Sequence, residues 1–505
     1  MSRTPLMRLL RRALEVANHD ESRRKFLQTS ALAGAALTIP SFLSGCGRPS
    51  ELNIDRSVRV AVIGGGLAGL HAAWLLHNKG VSVDVYEASQ RVGGRCLTAQ
   101  NLLAAGTWTE LGGEYIDSGH AEMFTLASTF GLELIDTIEE QAGTSNTFYF
   151  HGQHYTMEDI VREITPFLSR INDDVNRLPL SLRDLKDSPA QSLDSTSLES
   201  YFASLGISGW IRSLLEVAFV TENGLELGEQ SALNFITLLS TDVSDGNFRA
   251  FGTSDERYVV KGGVQQITNR LAAPLQKAIH TGHALTRIQH SGSRFVLTLR
   301  KETTTINVLA DHVVLALPFT MLRDVELDVE LPKIKKRAID ELRYGMNGKV
   351  MMGFDEPFWR QDDHNGSILT DLPLQLVWDN TYLDDEKGAG LTMYYGGSMS
   401  RVIETMTKDQ LASTMIEHLT TIWPATQNAR RGRVERMHWP TQQYVKASYS
   451  AYGPGQWTAF YGVEGESVGN LHFAGEHCSQ QHKGYMNGAA ETGRQAAEKI
   501  LAAMA

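Results

Sequence analysis

The residues whose types and spacing promise chemistry are glycines set beside single charges. Gly64, Gly66 and Gly69 have the spacing GxGxxG, and Glu87 follows downstream. Such a turn suits a dinucleotide. Gly64 makes the tight turn, Gly66 lets the backbone approach a pyrophosphate, and Gly69 lets the next helix pack on its strand. Glu87 is an acceptor for ribose hydroxyls. A second cluster, Arg91-Val92-Gly93-Gly94-Arg95, stands just beyond, where a nicotinamide site gives no reason for it. No CxxC or HExxH occurs, so metal chemistry has no support. No Ser-His-Asp or paired-carboxylate constellation is evident.

The elements that must carry these residues are legible. Residues 58–63 are apolar and β-branched, which predicts a strand buried on both faces. Leu67, Leu70 and Trp74 recur at helical spacing up to Gly80, and residues 81–85 form a second strand that ends at Glu87. The helix N-terminus, with free N–H groups and the positive end of its dipole, then faces the pyrophosphate. Beyond residue 121 the pattern changes. Met123, Leu126 and Phe130, then Leu214, Val217 and Phe219, read as helices, and 185–200 reads as loop. Residues 285–288, 295–299 and 313–318 read as strands, and a last helix runs from Tyr485 to the C-terminus.

From the glycine turn through Glu87 to Arg95 the sequence resembles the flavin amine oxidase family. The likeness continues in Glu110–Asp117, in 258–266 and in Gly348-Lys349-Val350. It then takes in Trp439–Gly455, Phe473–His477 and Gly484–Gly488, so it covers most of residues 58–505. The resemblance implies FAD, with Arg95 near the pyrophosphate and Gly112, Gly113 and Glu114 in the segment that passes the flavin ring. It implies that Leu285 meets adenine through its backbone and that Gly475 and Glu476 sit at the ribityl hydroxyls. Met486 then opens a helix whose N-terminus faces the flavin pyrimidine edge, where reduction places negative charge. Monoamine oxidases carry a flavin-linking cysteine where this chain has Ser448, so the FAD is expected to be held non-covalently.

The resemblance also implies a mechanism. Lys349 matches a lysine that holds a water against flavin N5, where its charge favours dioxygen reduction. Tyr449 and Tyr485 match two tyrosines that guide an amine onto the flavin. A neutral amine gives a hydride from its α-carbon, the imine hydrolyses, and dioxygen ends as hydrogen peroxide. Amino-acid oxidases of the family clamp a carboxylate with arginine, and some place it in the segment matching 112–117, where this chain has Glu114 and Asp117. Those acids suit a cationic substrate or are hydrogen-bonded away. An L-amino acid is placed first and a primary amine or polyamine second. A C–C flavin desaturase and a redox-silent FAD-binding assembly partner are the rivals from other classes.

Length, composition and the N-terminus complete the reading. With 505 residues and 42% hydrophobic content the chain has ample core without staples, so three cysteines are no disulfide framework. Whether Cys96 and Cys478 pair stays open. A net charge of −11 argues against nucleic acid as a partner. Arg23-Arg24-Lys25 precede a short, weakly apolar stretch that ends in Leu43-Ser44-Gly45-Cys46. That order resembles a twin-arginine export signal with a lipoprotein box. It predicts an exported protein anchored through lipid on Cys46 at the periplasmic or cell-envelope side. The expected fold is α/β, with a discontinuous Rossmann-like FAD-binding domain and an inserted α+β substrate domain. The expected segments are 1–45 signal, 46–57 tether, and 58–130, 256–330 and 441–505 for the FAD domain. The substrate domain takes 131–255, mainly helical, and 331–440.

Overall fold

The computed structural model describes residues 58–505 apart from 141–142, 253, 382–387 and 430. The export signal, Cys46 and the tether lie outside the described residues. Among those described, no helix is long and apolar enough to cross a membrane.

The expected βαβ unit is present. β1 (Arg59–Ile63) is buried along all but its first residue. α1 (Leu67–Asn78) and β2 (Ser82–Tyr86) follow. β1 pairs in parallel with β2 and with His312–Leu315, and Leu471–Phe473 and Ile279–His280 extend the two edges, also in parallel. This five-stranded parallel sheet explains the unbroken apolar runs, since both its faces are covered. α1 is apolar nearly all round because it lies between that sheet and the terminal helix Met486–Ala503. The two helices touch closely: a Cβ on Gly493 would lie 2.3 Å from the Ala68 carbonyl oxygen.

A second layer holds a seven-stranded, mainly antiparallel sheet with helices against it. Gly348–Phe354, Ala389–Tyr395 and Leu376–Asp379 lie side by side in it. Its far edge is the hairpin Ser145–Phe150 and Gln153–Tyr155, which comes from the segment expected to be mainly helical. Residues 185–200, read as loop, carry a 3-10 turn Leu182–Asp187, a short helix Gln191–Ser195 and the start of Leu198–Leu205. These elements are too short to show a helical period, although Ser181 and Ser197 each accept a backbone N–H at a helix start. A separate four-stranded sheet holds His283–Ser291 and Arg294–Lys301, together with Thr304–Ala310, an exposed strand with no apolar alternation to announce it.

Candidate active site

The site is built outward from the first glycine turn. Gly64 has φ +107° and its N–H donates to the Tyr86 carbonyl (2.9 Å), which locks β1 to β2 as the chain leaves the sheet. A Cβ on Gly69 would lie 2.0 Å from the Gly64 oxygen and 3.1 Å from Val62 Cγ1, so this glycine sets helix-on-strand packing and does not line the cavity. Gly66 differs: a Cβ there would meet nothing nearer than Gly94 Cα at 3.9 Å. Gly66 is the N-cap of α1 and supplies no side-chain acceptor, so the first N–H groups of the helix face the cavity. Glu87 accepts from Gly65 N–H (2.7 Å) and Ser89 N–H (2.8 Å) on its two oxygens. A carboxylate has about four acceptor sites, so it keeps room for hydroxyl donors.

The second glycine cluster lies across this turn. Gly93 N–H donates to the Gly65 carbonyl (2.8 Å), and Arg91 closes its own loop on the Gly94 carbonyl (2.8 Å). Arg95 reaches the opposite way, to Glu476 (3.0 Å) and the Ser448 carbonyl (2.5 Å). Glu476 also accepts from the Ser450 N–H and hydroxyl and from Gly484 N–H. Its acceptor sites are therefore met by protein donors, and its visible work is to brace Arg95 against the loop before the terminal helix. Burial pushes the Glu476 carboxyl up, but Arg95, His477 and the Ser450 hydroxyl together hold it below its ordinary value. That helix begins after Tyr485 with no side-chain cap and no acid in its first turn. Leu285 takes its place on the cavity wall from His283–Ser291, where the ladder shifts register.

Lys349, Glu114, Tyr449 and Tyr485 meet on one cavity of about 1440 Å³, which also holds Gly64, Gly66, Glu87, Arg95, Gly112, Gly113, Leu285, Gly475, Glu476 and Met486 on its walls. Lys349 is ion-paired with Glu114 (2.5 Å) and donates to the carbonyls of Gly112 (2.9 Å) and Glu110 (3.2 Å). Asp117 accepts from the Ser254 hydroxyl (2.7 Å) and Glu256 N–H (3.1 Å). Of the two fates open to these acids, the structure shows the second: both are hydrogen-bonded within the protein. Burial raises the Asp117 carboxyl above its ordinary range. Glu110, buried between Val264 N–H (2.6 Å) and the Thr98 hydroxyl (2.8 Å), is pushed up by burial to about 8.

Two aromatics of this site have no signal in the sequence. Trp378 donates its indole N–H to Glu114 (2.8 Å), and its ring lies 5.6 Å from that of Tyr394. The hydroxyl of Tyr394 meets that of Tyr449 (3.0 Å), which also donates to the Glu222 carbonyl (2.6 Å). Strand register does this work: Lys349 stands opposite Tyr394, and Tyr394 opposite Leu376, two residues before Trp378 on the same face. Tyr485 packs its ring 5.1 Å from that of His120.

A family model described as flavin-containing amine oxidoreductase matches residues 67–501. The chain belongs to this family. Among its relatives is a flavin-containing amine oxidase from Danio rerio, 29% identical over 88% of this chain and 86% of that one. A flavin-containing amine oxidase B from Sus scrofa is 27% identical over the same shares. Of solved structures, cyclohexylamine oxidase from Brevibacterium oxydans IH-35A matches with a TM-score of 0.77 at 24% identity, over 88% of this chain and 99% of that one. Putrescine oxidase bound to putrescine matches with a TM-score of 0.75 at 21% identity over the same shares.

The cofactor of this amine oxidoreductase is FAD, and its residues fit that group. The cavity exceeds the roughly 300–1,000 Å³ of an ordinary small-molecule pocket. It runs from Leu285 and Glu87 past the open start of α1 to Gly112, Gly113 and the open start of the terminal helix. One helix start suits a pyrophosphate and the other suits negative charge on a reduced ring. Ser448 donates its hydroxyl to Asn347 (2.5 Å) and offers no thiol, so FAD is held there without a covalent bond. Cys96 and Cys478 are both free and buried, which answers the question of their pairing.

Proposed function

We propose that this chain is an oxidase of primary amines. It takes a hydride from the α-carbon, releases an imine that hydrolyses to a carbonyl compound and ammonia, and delivers the electrons to dioxygen as hydrogen peroxide. Bound FAD supplies the hydride acceptor and the reaction with dioxygen. The residues do the rest. Tyr449, Tyr394 and Trp378 form an aromatic wall whose faces favour an amine nitrogen. Tyr449 is fixed by its bond to the Glu222 carbonyl, and Tyr485 by packing on His120.

The observation that carries the substrate reading is the state of the cations on the amine side. Lys349 is paired with Glu114, and Arg249 with Asp245. Glu222, Asp255 and Glu256 line the same cavity. A substrate carboxylate meets committed cations and nearby acids there, whereas an alkylammonium is drawn in. This puts the amine ahead of the L-amino acid. The L-amino acid stands second on one observation: Arg249 lines the cavity and is 45% exposed, so a substrate carboxylate can compete with Asp245 for it.

The deciding experiment is peroxide release by FAD-loaded protein across primary amines, diamines and L-amino acids, with anaerobic bleaching of the flavin as the companion measurement. Turnover of amines lacking a carboxylate is expected. Turnover of amino acids alone overturns the first reading. No bleaching by either class leaves the desaturase and the redox-silent partner. Export and anchoring belong to the same proposal. Mass spectrometry of the mature N-terminus is expected to find an acylated Cys46, and an unprocessed Met1 on the exported protein would refute it.

A further inference from the structure

Glu114 stands where three functions of the cavity wall meet. Its Oε2 receives the Lys349 ammonium at 2.5 Å, and its Oε1 receives the Trp378 indole N–H at 2.8 Å. Both members of the ion pair are about 95% shielded, at 5% and 4% side-chain exposure. The ammonium has three N–H groups. Its three acceptors are Glu114, the Gly112 carbonyl and the Glu110 carbonyl. Nothing in that set is a solvent-facing surface contact, and every acceptor comes from the segment 110–114. The Lys349 Nζ also lies 5.2 Å from the centre of the Trp378 ring. From Trp378 the contacts run on to Tyr394 and then to Tyr449.

We propose that Glu114 is a positioning residue that holds Lys349 as half of a neutral pair and ties that pair to the aromatic wall. A lone buried cation beside a redox ring would favour every added electron, and a buried carboxylate beside it cancels most of that field. A lysine stem is flexible, with up to three donors to place. Fixing all three donors on one segment leaves the charge in one position, and leaves no ammonium N–H for the water expected against flavin N5, so the lysine acts there through its charge. The indole N–H takes the second carboxylate oxygen, so the carboxylate cannot rotate away from Lys349 without also breaking its bond to Trp378. The flavin-side segment and the amine-side wall are thereby coupled through one side chain.

This inference rests on the amine-oxidase reading of the cavity, but its test needs no amine. Glu114→Gln, Lys349→Met and the double variant are loaded with FAD, and the flavin is reduced chemically under anaerobic conditions. Two quantities are read: the midpoint potential of the bound flavin, and the rate constant of its reoxidation by dioxygen. Glu114→Gln frees the cation, so the potential rises and reoxidation quickens. Lys349→Met leaves the carboxylate alone, so the potential falls and reoxidation slows by roughly tenfold or more, the scale seen when a preorganised stabilising group is removed. In the Lys349→Met background, adding Glu114→Gln removes the unpaired carboxylate, so the potential returns toward the parent value while the parent reoxidation rate is not restored, because that step needs the lysine.

Potential shifts of the same sign in the two single variants overturn the proposal. So does recovery of the parent reoxidation rate in the double variant. Should Glu114→Gln fail to retain flavin, Glu114→Asp replaces it, since it keeps the charge and withdraws it by one methylene. A smaller shift in the same direction is then expected, and an unchanged potential overturns the proposal. If amines fail to bleach the flavin while these shifts appear, the substrate reading falls and the positioning role stands.

Discussion

At the scale of single residues, the glycines of the first turn divide by what a Cβ would strike. Gly66 has open space, with Gly94 Cα at 3.9 Å, whereas Gly69 faces the Gly64 oxygen at 2.0 Å. Gly66→Ala is therefore expected to melt as apoprotein within about 0.5 kcal/mol of the parent and to retain less flavin. Gly69→Ala is expected to lose the fold itself. Thermal melts run beside flavin-to-protein absorbance ratios separate the two outcomes; equal flavin retention in Gly66→Ala would remove that residue from the cofactor site. Ser448 makes a simpler forecast. Acid precipitation should leave all flavin in the supernatant, and yellow pellet protein would show a covalent link the buried thiols do not suggest.

At the scale of elements, the terminal helix and α1 pack closely, with His71 also on the Ala490 carbonyl (2.8 Å), and both open onto the cavity. Gly493→Ala places a Cβ 2.3 Å from the Ala68 oxygen, so the helices must part. A cost of about 1–3 kcal/mol is expected. Because both helix starts would shift, flavin affinity should fall with the melting temperature; a drop in only one of them would mean that the two starts are not mechanically linked. Glu110 ends the strand Trp108–Glu110 and ties it to Thr98 and to Val264 before the helix Gln265–Ala272. Its carboxyl is pushed by burial from an ordinary 4.5 to about 8, with Glu114 pushing the same way and Lys349 opposing. The folded state thus holds the proton more tightly than the unfolded chain. The stability this brings is complete below pH 4.5 and is lost as pH rises through about 8. The slope is at most about 1.4 kcal/mol per pH unit. Glu110→Gln should flatten the melting temperature across that window, and an unaltered pH profile would show that Glu110 ionises freely.

At the scale of the whole molecule, the cavity lies between the parallel sheet and the seven-stranded sheet, with FAD as the natural filler of the first part. A ligand bound only by the folded state adds stability by mass action, about 2.7 kcal/mol at a hundredfold excess over its dissociation constant. The melting temperature should climb with added FAD in the apoprotein, and a flat response would contradict the site. The sequence by itself determined the cofactor half. A glycine turn, its flanking apolar strands and its terminal acid are local, and their spacing follows from the pitch of one βαβ unit. It also carried the family likeness from Gly64 to Met486, and with it the cavity-lining Lys349, Tyr449 and Tyr485. The rest of the amine half was decided by tertiary structure. Trp378 and Tyr394 carry no motif, and they reach Lys349 only through strand register. Glu114 taken alone suits a cationic substrate, but the lysine that neutralises it comes from 235 positions away in the chain. Spacing along a sequence encodes what one helix or strand presents; which charges cancel depends on distances between segments that only the packed chain brings together.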